Sequence, residues 1–421
     1  MKIRRNVLVF RLGILIGLLF IAGAFSHCRA QTKLSLREAI ESGLDSRASL
    51  KGDAERISAA EGIQKQSRLI PNPTFQFENQ NLRPGQDYTR DVDTYAYLAQ
   101  PLDVLGKRKQ RIEVAEKHVG TSKAQYELAR RQIALSIEQS YWAARGAQEV
   151  RDLLKATVDN FQRVIDYHSA QLSVGAISEQ DFLRIRLEGE RLSISFNLAT
   201  IEATRARVQL QKNMGQTNFL ELILTEPLDA NKDSLSPMET QQVLAQRTEI
   251  EVARAELEEA EAKAKFEAVS ARPDLNILYG YKRTQLADTS AGVNTALAGV
   301  QVTLPITDRN QGNRAAANAE VNRQQQLLAA AQASVLADYY GAFQEYQLRR
   351  NEMLENLQPL REHATEISEI AQGAYTQGGT DLLRLLDAER ARLEAELAYV
   401  QGMVEYQQSI VNLEAAEGVA K

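Results

Sequence analysis

The chain has 421 residues, enough for two or three ordinary domains, yet long stretches rich in Ala, Glu, Gln, Leu and Arg are broken by only nine prolines. Its formal charge is −5, and five of its 50 Lys and Arg fall in residues 1–30, a segment without an acid, which leaves 45 basic against 55 acidic residues beyond it. That balance, with no basic patch, excludes nucleic acid as a partner, and a lone cysteine, Cys28, excludes an internal disulfide.

Residues 1–30 read as a secretory signal, with Lys2, Arg4 and Arg5, an apolar run from Leu12 to Phe25, and cleavage expected after Ala30. The run is short of the ~20 residues of a spanning helix. The alternative, a lipid-bearing Cys28, has His27 as a poor neighbour for that processing.

From Leu34 to Arg68 the pattern is helical, with Ser35 and Glu38 spaced as a capping box, until Pro71-Asn72-Pro73 stops it. Phe75 and Phe77 then alternate with Gln76 and Glu78, the period of a strand. Arg83-Pro84-Gly85-Gln86-Asp87 reads as a turn, and Tyr95, Tyr97 and Ala99 alternate back to Pro101. Arms of about ten residues suit a tilted strand crossing a bilayer. After Gly106 helical pattern runs almost unbroken to Ser173, roughly 100 Å at 1.5 Å per residue. Gly175 breaks it, and a shorter helix from about Glu179 to Met214 carries Leu187, Ile194, Ile201 and Val208 at intervals of seven, the mark of a coiled-coil seam.

The second half repeats these elements about 203 residues later: Gly175 becomes Gly378, Val208 becomes Val411 and Gly215 becomes Gly418. A helix from about Glu239 to Ala268 precedes Pro273. Leu275, Ile277, Tyr279 and Tyr281 alternate, a polar turn covers Asp288 to Asn294, and Ala296 to Leu304 alternate back. The long helix from about Arg314 to Tyr375 holds Pro359, where a kink is expected. Its partner carries the sevens Leu386, Leu393, Val400 and Leu397, Val404, Val411. The organisation is therefore a signal at 1–30, repeats at 31–216 and 239–421, and a linker at 217–238. The two shorter helices of each half together match the long one in reach, as if stacked beside it.

Four strands cannot close a transmembrane barrel, whose smallest members have eight, and an open edge in lipid leaves backbone groups unpaired. Copies of the chain must then pool their hairpins. Pro71-Asn72-Pro73 with Glu78-Asn79, Gln100-Pro101-Leu102-Asp103 with Gly106-Lys107-Arg108, and Tyr375, Gly378 and Leu386-Asp387-Ala388 resemble the TolC-like outer-membrane efflux channels. Within them the branch resembled is that of heavy-metal and drug pumps of the resistance-nodulation-division (RND) type. The resemblance runs from about Leu34 to Gly418. It implies a mainly α protein with a membrane β part: a homotrimer whose long coiled-coil helical barrel continues a twelve-stranded β-barrel, four strands from each chain. It also implies an address in the outer membrane, extending into the periplasm, surrounding outer-membrane lipid, a periplasmic adaptor (membrane fusion protein) and an inner-membrane RND-type transporter as partners.

The same resemblance places Val174, Gly175 and Ala176, with Gly378 and Gly379, at an adaptor-docking tip. The plainer role is the backbone freedom of a helix-helix turn. Asp181 and Tyr375 match positions that help hold such tips closed, against a plainer solvated acid and half-buried aromatic. The family's closing arginine is here Thr380. Asp387 matches an acid ringing the pore entrance, but Arg384 replaces its acidic companion, so a surface acid is its default role. Gly106-Lys107-Arg108 lacks the glycines and Lys-Ser/Thr pair of a phosphate loop and reads as a corner with cations near the membrane boundary. His118, His168 and His363 lie on separate stretches, so no metal site is expected, and Tyr141 and Trp142 read as packing. No catalytic set or cofactor is expected. Two alternatives to an efflux duct stand: a periplasmic coiled-coil scaffold or adaptor, and an outer-membrane channel for type I protein secretion.

Overall fold

The computed structural model describes residues 32–85, 92–229, 235–284 and 293–419; the signal, Cys28 and the tips of both hairpin turns lie outside the described residues. In the first half the elements are β1 (Thr32–Leu34), α1 (Leu36–Ser46), α2 (Ala48–Ser67), β2 (Thr74–Gln80), β3 (Asp93–Leu102), α3 (Lys107–Ser173) and α4 (Glu179–Asn213). Then come β4 (Leu222–Leu224), α5 (Thr240–Gln246), α6 (Thr248–Ser270), β5 (Asp274–Thr284) and β6 (Val293–Thr303). Finally α7 (Gln311–Asn351), a π-helical turn (Glu352–Leu357), α8 (Gln358–Thr376) and α9 (Leu382–Glu417) complete the chain.

The capping box forms, with Glu38 Oε2 accepting from the Ser35 N–H at 2.9 Å. The first helix is nevertheless two, because Arg47 turns extended, φ −69° and ψ 114°. Arg247 does the same between α5 and α6. The end of α4 fills the first break: Ser46 Oγ donates to Met214 O at 2.7 Å, Met214 is buried, and a Cβ on Gly215 would press on Arg47. The helices thus stack end to end along the 67-residue α3.

At Pro359 the disturbance takes the form of a π turn just before it. The strain of its ring against the carbonyl four residues back is taken up by the π turn over Glu352–Leu357, which widens the helix there. Gly402 on α9 makes room, since a Cβ there would collide with Leu357 and Met353.

The first seam is not closed within the chain. Leu187, Ile194, Ile201 and Val208 are exposed, Ile194 by 60%, and α4 packs on α3 through Ile185, Gly189, Leu192, Ala199 and Ala203 instead. The counterpart stripe on α9 is covered: Val404 sits against Gly146 of α3, and Val411 joins the main core with Ile137, Tyr141 and Leu210. At that level β1 and β4 pair in parallel, and the buried Tyr141 hydroxyl donates to Leu34 O (2.9 Å) while accepting from Thr225 and Glu226 N–H.

Candidate functional site

No helix among the described residues is long and apolar enough to cross a membrane; the four-stranded sheet is a separate element with its own two faces. Its strands run antiparallel in the order β2-β3-β5-β6. Alternation puts Phe75, Phe77, Ala96, Leu98, Ile277, Tyr279, Tyr281, Val300 and Val302 on one face. The other face carries Gln76, Glu78, Tyr95, Tyr97, Asn276, Lys282 and Gln301. In a water-soluble sheet the apolar face would be the covered one. Here it is bare: Val300 is 69% exposed and Phe75 64%. The polar face is cross-linked, by Asn276 Nδ2 to Gln301 Oε1 at 3.2 Å and by the Lys282 ammonium 5.1 Å from the Tyr95 ring. Neither β2 nor β6 has a second neighbour among the described residues.

Below the sheet α2, α3, α6 and α7 stand side by side, and one trough of about 860 Å³ touches all four, which makes them an arc with the trough on its hollow side. Its wall is polar. His118 Nδ1 lies 3.0 Å from Glu259, Gln125 donates to Glu256, and Arg56 donates to Gln125. Glu320 is held down to about 2 by hydrogen bonds from Arg323 and Gln324.

At the far end both helical hairpins close with the same hydrogen-bond pattern. Gly175 N–H donates to Leu172 O (3.0 Å) and Ala176 N–H to Gln171 O (2.9 Å); Gly378 N–H donates to Tyr375 O (3.1 Å) and Gly379 N–H to Ala374 O (2.8 Å). Gly175 and Gly378 both have φ of 74°, the left-handed turn position that favours glycine. Val174 presents a large apolar side chain there, 79% exposed.

Asp181 first serves the α4 cap, Ser178: its main-chain N–H donates to Ser178 Oγ, whose hydroxyl donates to Asp181 Oδ2 at 2.7 Å. Its charge also reaches Tyr375. Burial foremost, then Tyr167 and Asp181, pushes the Tyr375 hydroxyl above its ordinary value. Tyr375 Oη lies 3.0 Å from Nε2 of His168, whose Nδ1 lies 2.8 Å from Val164 O. A carbonyl can only accept, so Nδ1 carries a proton, and in the Nδ1–H tautomer Nε2 accepts from the Tyr375 hydroxyl. His168 is 3% exposed and ties α3 to α8, one repeat to the other. Sequence reasoning passed it over for want of a metal partner; its signal is position, two turns before Gly175 while Tyr375 stands one turn before Gly378. Asp387 stays apart, exposed and 3.8 Å from Arg390, which Glu188 holds at 2.8 Å. No group of three or more His, Cys, Asp or Glu able to hold a metal occurs among the described residues.

Comparison with known proteins agrees with this geometry. The chain is 27% identical over 367 residues to the cobalt-zinc-cadmium resistance protein CzcC of Cupriavidus metallidurans, covering 87% of this chain and 86% of that one. It is 22% identical over 360 residues to the probable outer membrane lipoprotein SilC of Salmonella typhimurium, covering 81% and 75%. Its fold matches a crystal structure of CusC with a TM-score of 0.72 at 18% identity, over 91% of this chain and 92% of that one. Residues 39–216 and 240–419 match the family described as outer membrane efflux protein, and the chain belongs to that family.

Proposed function

We propose that this protein is the passive exit duct of a three-part efflux assembly, carrying metal ions or drugs delivered by an RND-type inner-membrane pump through a periplasmic adaptor. The observation that carries the reading is the inverted sheet, bare and apolar outside, polar within, at one end of helices about 100 Å long. A periplasmic scaffold has no use for such a face. The resistance named for CzcC favours divalent cations as cargo.

Three copies supply twelve strands, β6 of each pairing β2 of the next. The duplication supports the same ring in the helices. The α9 stripe is covered by the long helix of its own repeat partner, and the matching α4 stripe is bare. Its cover is the α7–α8 strut of the next subunit, where Tyr340, Leu348, Ile367 and Ile370 are exposed. The two repeats, 31–216 and 239–421 with the linker 217–238 between them, then act as six alternating staves.

At the tip the Tyr375–His168 bond, with Asp181 beside it, is the closing link, and Val174, Gly175, Ala176, Gly378 and Gly379 form the adaptor seat. Asp387 with Arg390 lies on the approach to that pore. Single-channel recording in planar bilayers tests the duct directly. Steady conductance from the trimer is expected, and deletion of the gene is expected to lower tolerance to cobalt, zinc or cadmium. A monomer without conductance would sink the reading.

A further inference from the structure

At the helix end of the sheet the chain exposes Leu69 and Ile70 before β2, Val104 and Leu105 after β3, and Leu304 and Ile306 after β6. Cations crowd immediately beyond this apolar rim. Three are neutralised: Lys107 by Asp274 and Arg111 by Asp103, each at 2.6 Å, and Arg68 by Glu116 at 2.9 Å. Three others spend donors on main-chain carbonyls, which carry no net charge to cancel theirs. Arg108 reaches Arg68 O at 2.6 Å, Arg272 reaches Leu105 O, and Arg309 reaches Ile306 O at 3.2 Å. Lys109 and Arg314 are exposed, with no carboxylate within 4 Å among the described residues. Lys109 stands nine residues from the trough residue His118, half a turn around α3 at 100° per residue, so it faces away from the hollow side.

In a chain of net charge −5 this concentration runs against the overall balance. Carbonyl-anchored guanidinium groups are held in place, with remaining N–H donors free for an anion of many acceptors. The collar is continuous with the bare apolar face of the sheet, so an anion seated on it has hydrocarbon beside it. We propose that this collar binds the phosphate headgroups of anionic phospholipids in the leaflet at the helix end of the barrel, fixing the depth at which the protein sits. The proposal rests on the membrane reading above. Zwitterionic headgroups fit less well, because their own cation opposes the collar.

The test uses the full chain reconstituted into vesicles of equimolar phosphatidylglycerol and phosphatidylcholine, and into phosphatidylcholine alone. Native mass spectrometry of the released protein counts the lipids it retains. The unaltered protein is expected to keep phosphatidylglycerol in preference. K109Q/R309Q/R314Q is expected to lose about fivefold of that preference for each cation removed at low salt, and R309K/R314K to retain it. A charge-matched K155Q/R163Q/R184Q, roughly 70 Å or more along the helices, is expected to behave as the unaltered protein. Equal retention of both lipids, or equal loss in the remote triple variant, overturns the collar while insertion into both vesicles leaves the membrane reading intact. Failure to enter either vesicle removes the membrane reading and the collar with it.

Discussion

Arg47 and Arg247 form one joint twice over. Arg47 Nη1 donates to Asn213 O and Arg247 Nη1 to Ala416 O, acceptors that stand 203 positions apart, the interval of the duplication. Each arginine lies in an extended break between two short helices and catches the last turn of the helix stacked beneath. Arg247 is the more buried and also pairs with Glu249 at 2.8 Å. Arg247→Ala is therefore expected to cost about 2 kcal/mol and Arg47→Ala about 1. Thermal unfolding of the solubilised protein ranks the two, and equal or absent losses would remove the joint's assigned role.

The same joint carries a pH signature. Burial pushes the Glu249 carboxyl up, but the hydrogen bonds from Arg247 and its own main chain, with the Arg247 charge, outweigh it and leave the group below its ordinary 4.5. A carboxyl lowered by folding stabilises above its unfolded value and loses that contribution as pH falls through the folded one. Stability is expected to drop in acid below pH 4.5, and Glu249→Gln to flatten that drop. Melting curves across the acid range decide it.

Tyr375→Phe keeps the ring and removes the hydroxyl that His168 accepts from. Losing one such bond, about 1 kcal/mol, shifts the closed-to-open balance by roughly fivefold for each subunit. Raised mean conductance in a planar bilayer is the expected outcome, with His168→Phe acting in the same direction. Unchanged gating in both variants would assign this pair to packing.

The two glycines of the second turn separate by backbone angle. Gly378 sits at φ 74° with open space around it, so Gly378→Ala pays a left-handed strain of about 1 kcal/mol. Gly379 has no positive φ, and a Cβ there makes only van der Waals contact with Ala374. Gly379→Ala is expected to be nearly neutral in stability. If it nonetheless weakens adaptor binding in a pull-down, that glycine serves the docking seat rather than the turn.

On the sheet, Val300→Lys puts a charge on the bare apolar face and Gln301→Lys puts one on the polar face. The first is expected to cost about 2–4 kcal/mol near the bilayer midplane and the second to leave folding intact while altering ion selectivity. Refolding into vesicles and reversal potentials measure both. Equal effects at the two positions would void the assignment of faces.

The strands were legible because alternation at Phe75, Phe77, Tyr279 and Tyr281 has no helical reading, and the long helix because nothing between Lys107 and Ser173 interrupts it. The breaks at Arg47 and Arg247 were not. Neither has a proline or glycine beside it, and both exist because another helix end fills the gap. Pro359 signalled a disturbance but not its form, since a π turn needs Gly402 on a neighbouring helix to give way. The sevens on α4 were visible, but not that the chain's own described helices leave that stripe exposed while burying Ile185, Leu192 and Ala203 beside it. His168 and Tyr375 are 207 residues apart, and only the rotation of α3 against α8 brings them together.

Among the described residues the outer edges of β2 and β6 and the α4 stripe are uncovered, which has a bearing on biogenesis. A freshly made subunit carries two unfinished strand borders and a greasy flank, the features that drive unwanted sticking in any crowded compartment. On the trimeric reading proposed above, folding of the sheet and the meeting of subunits become a single event.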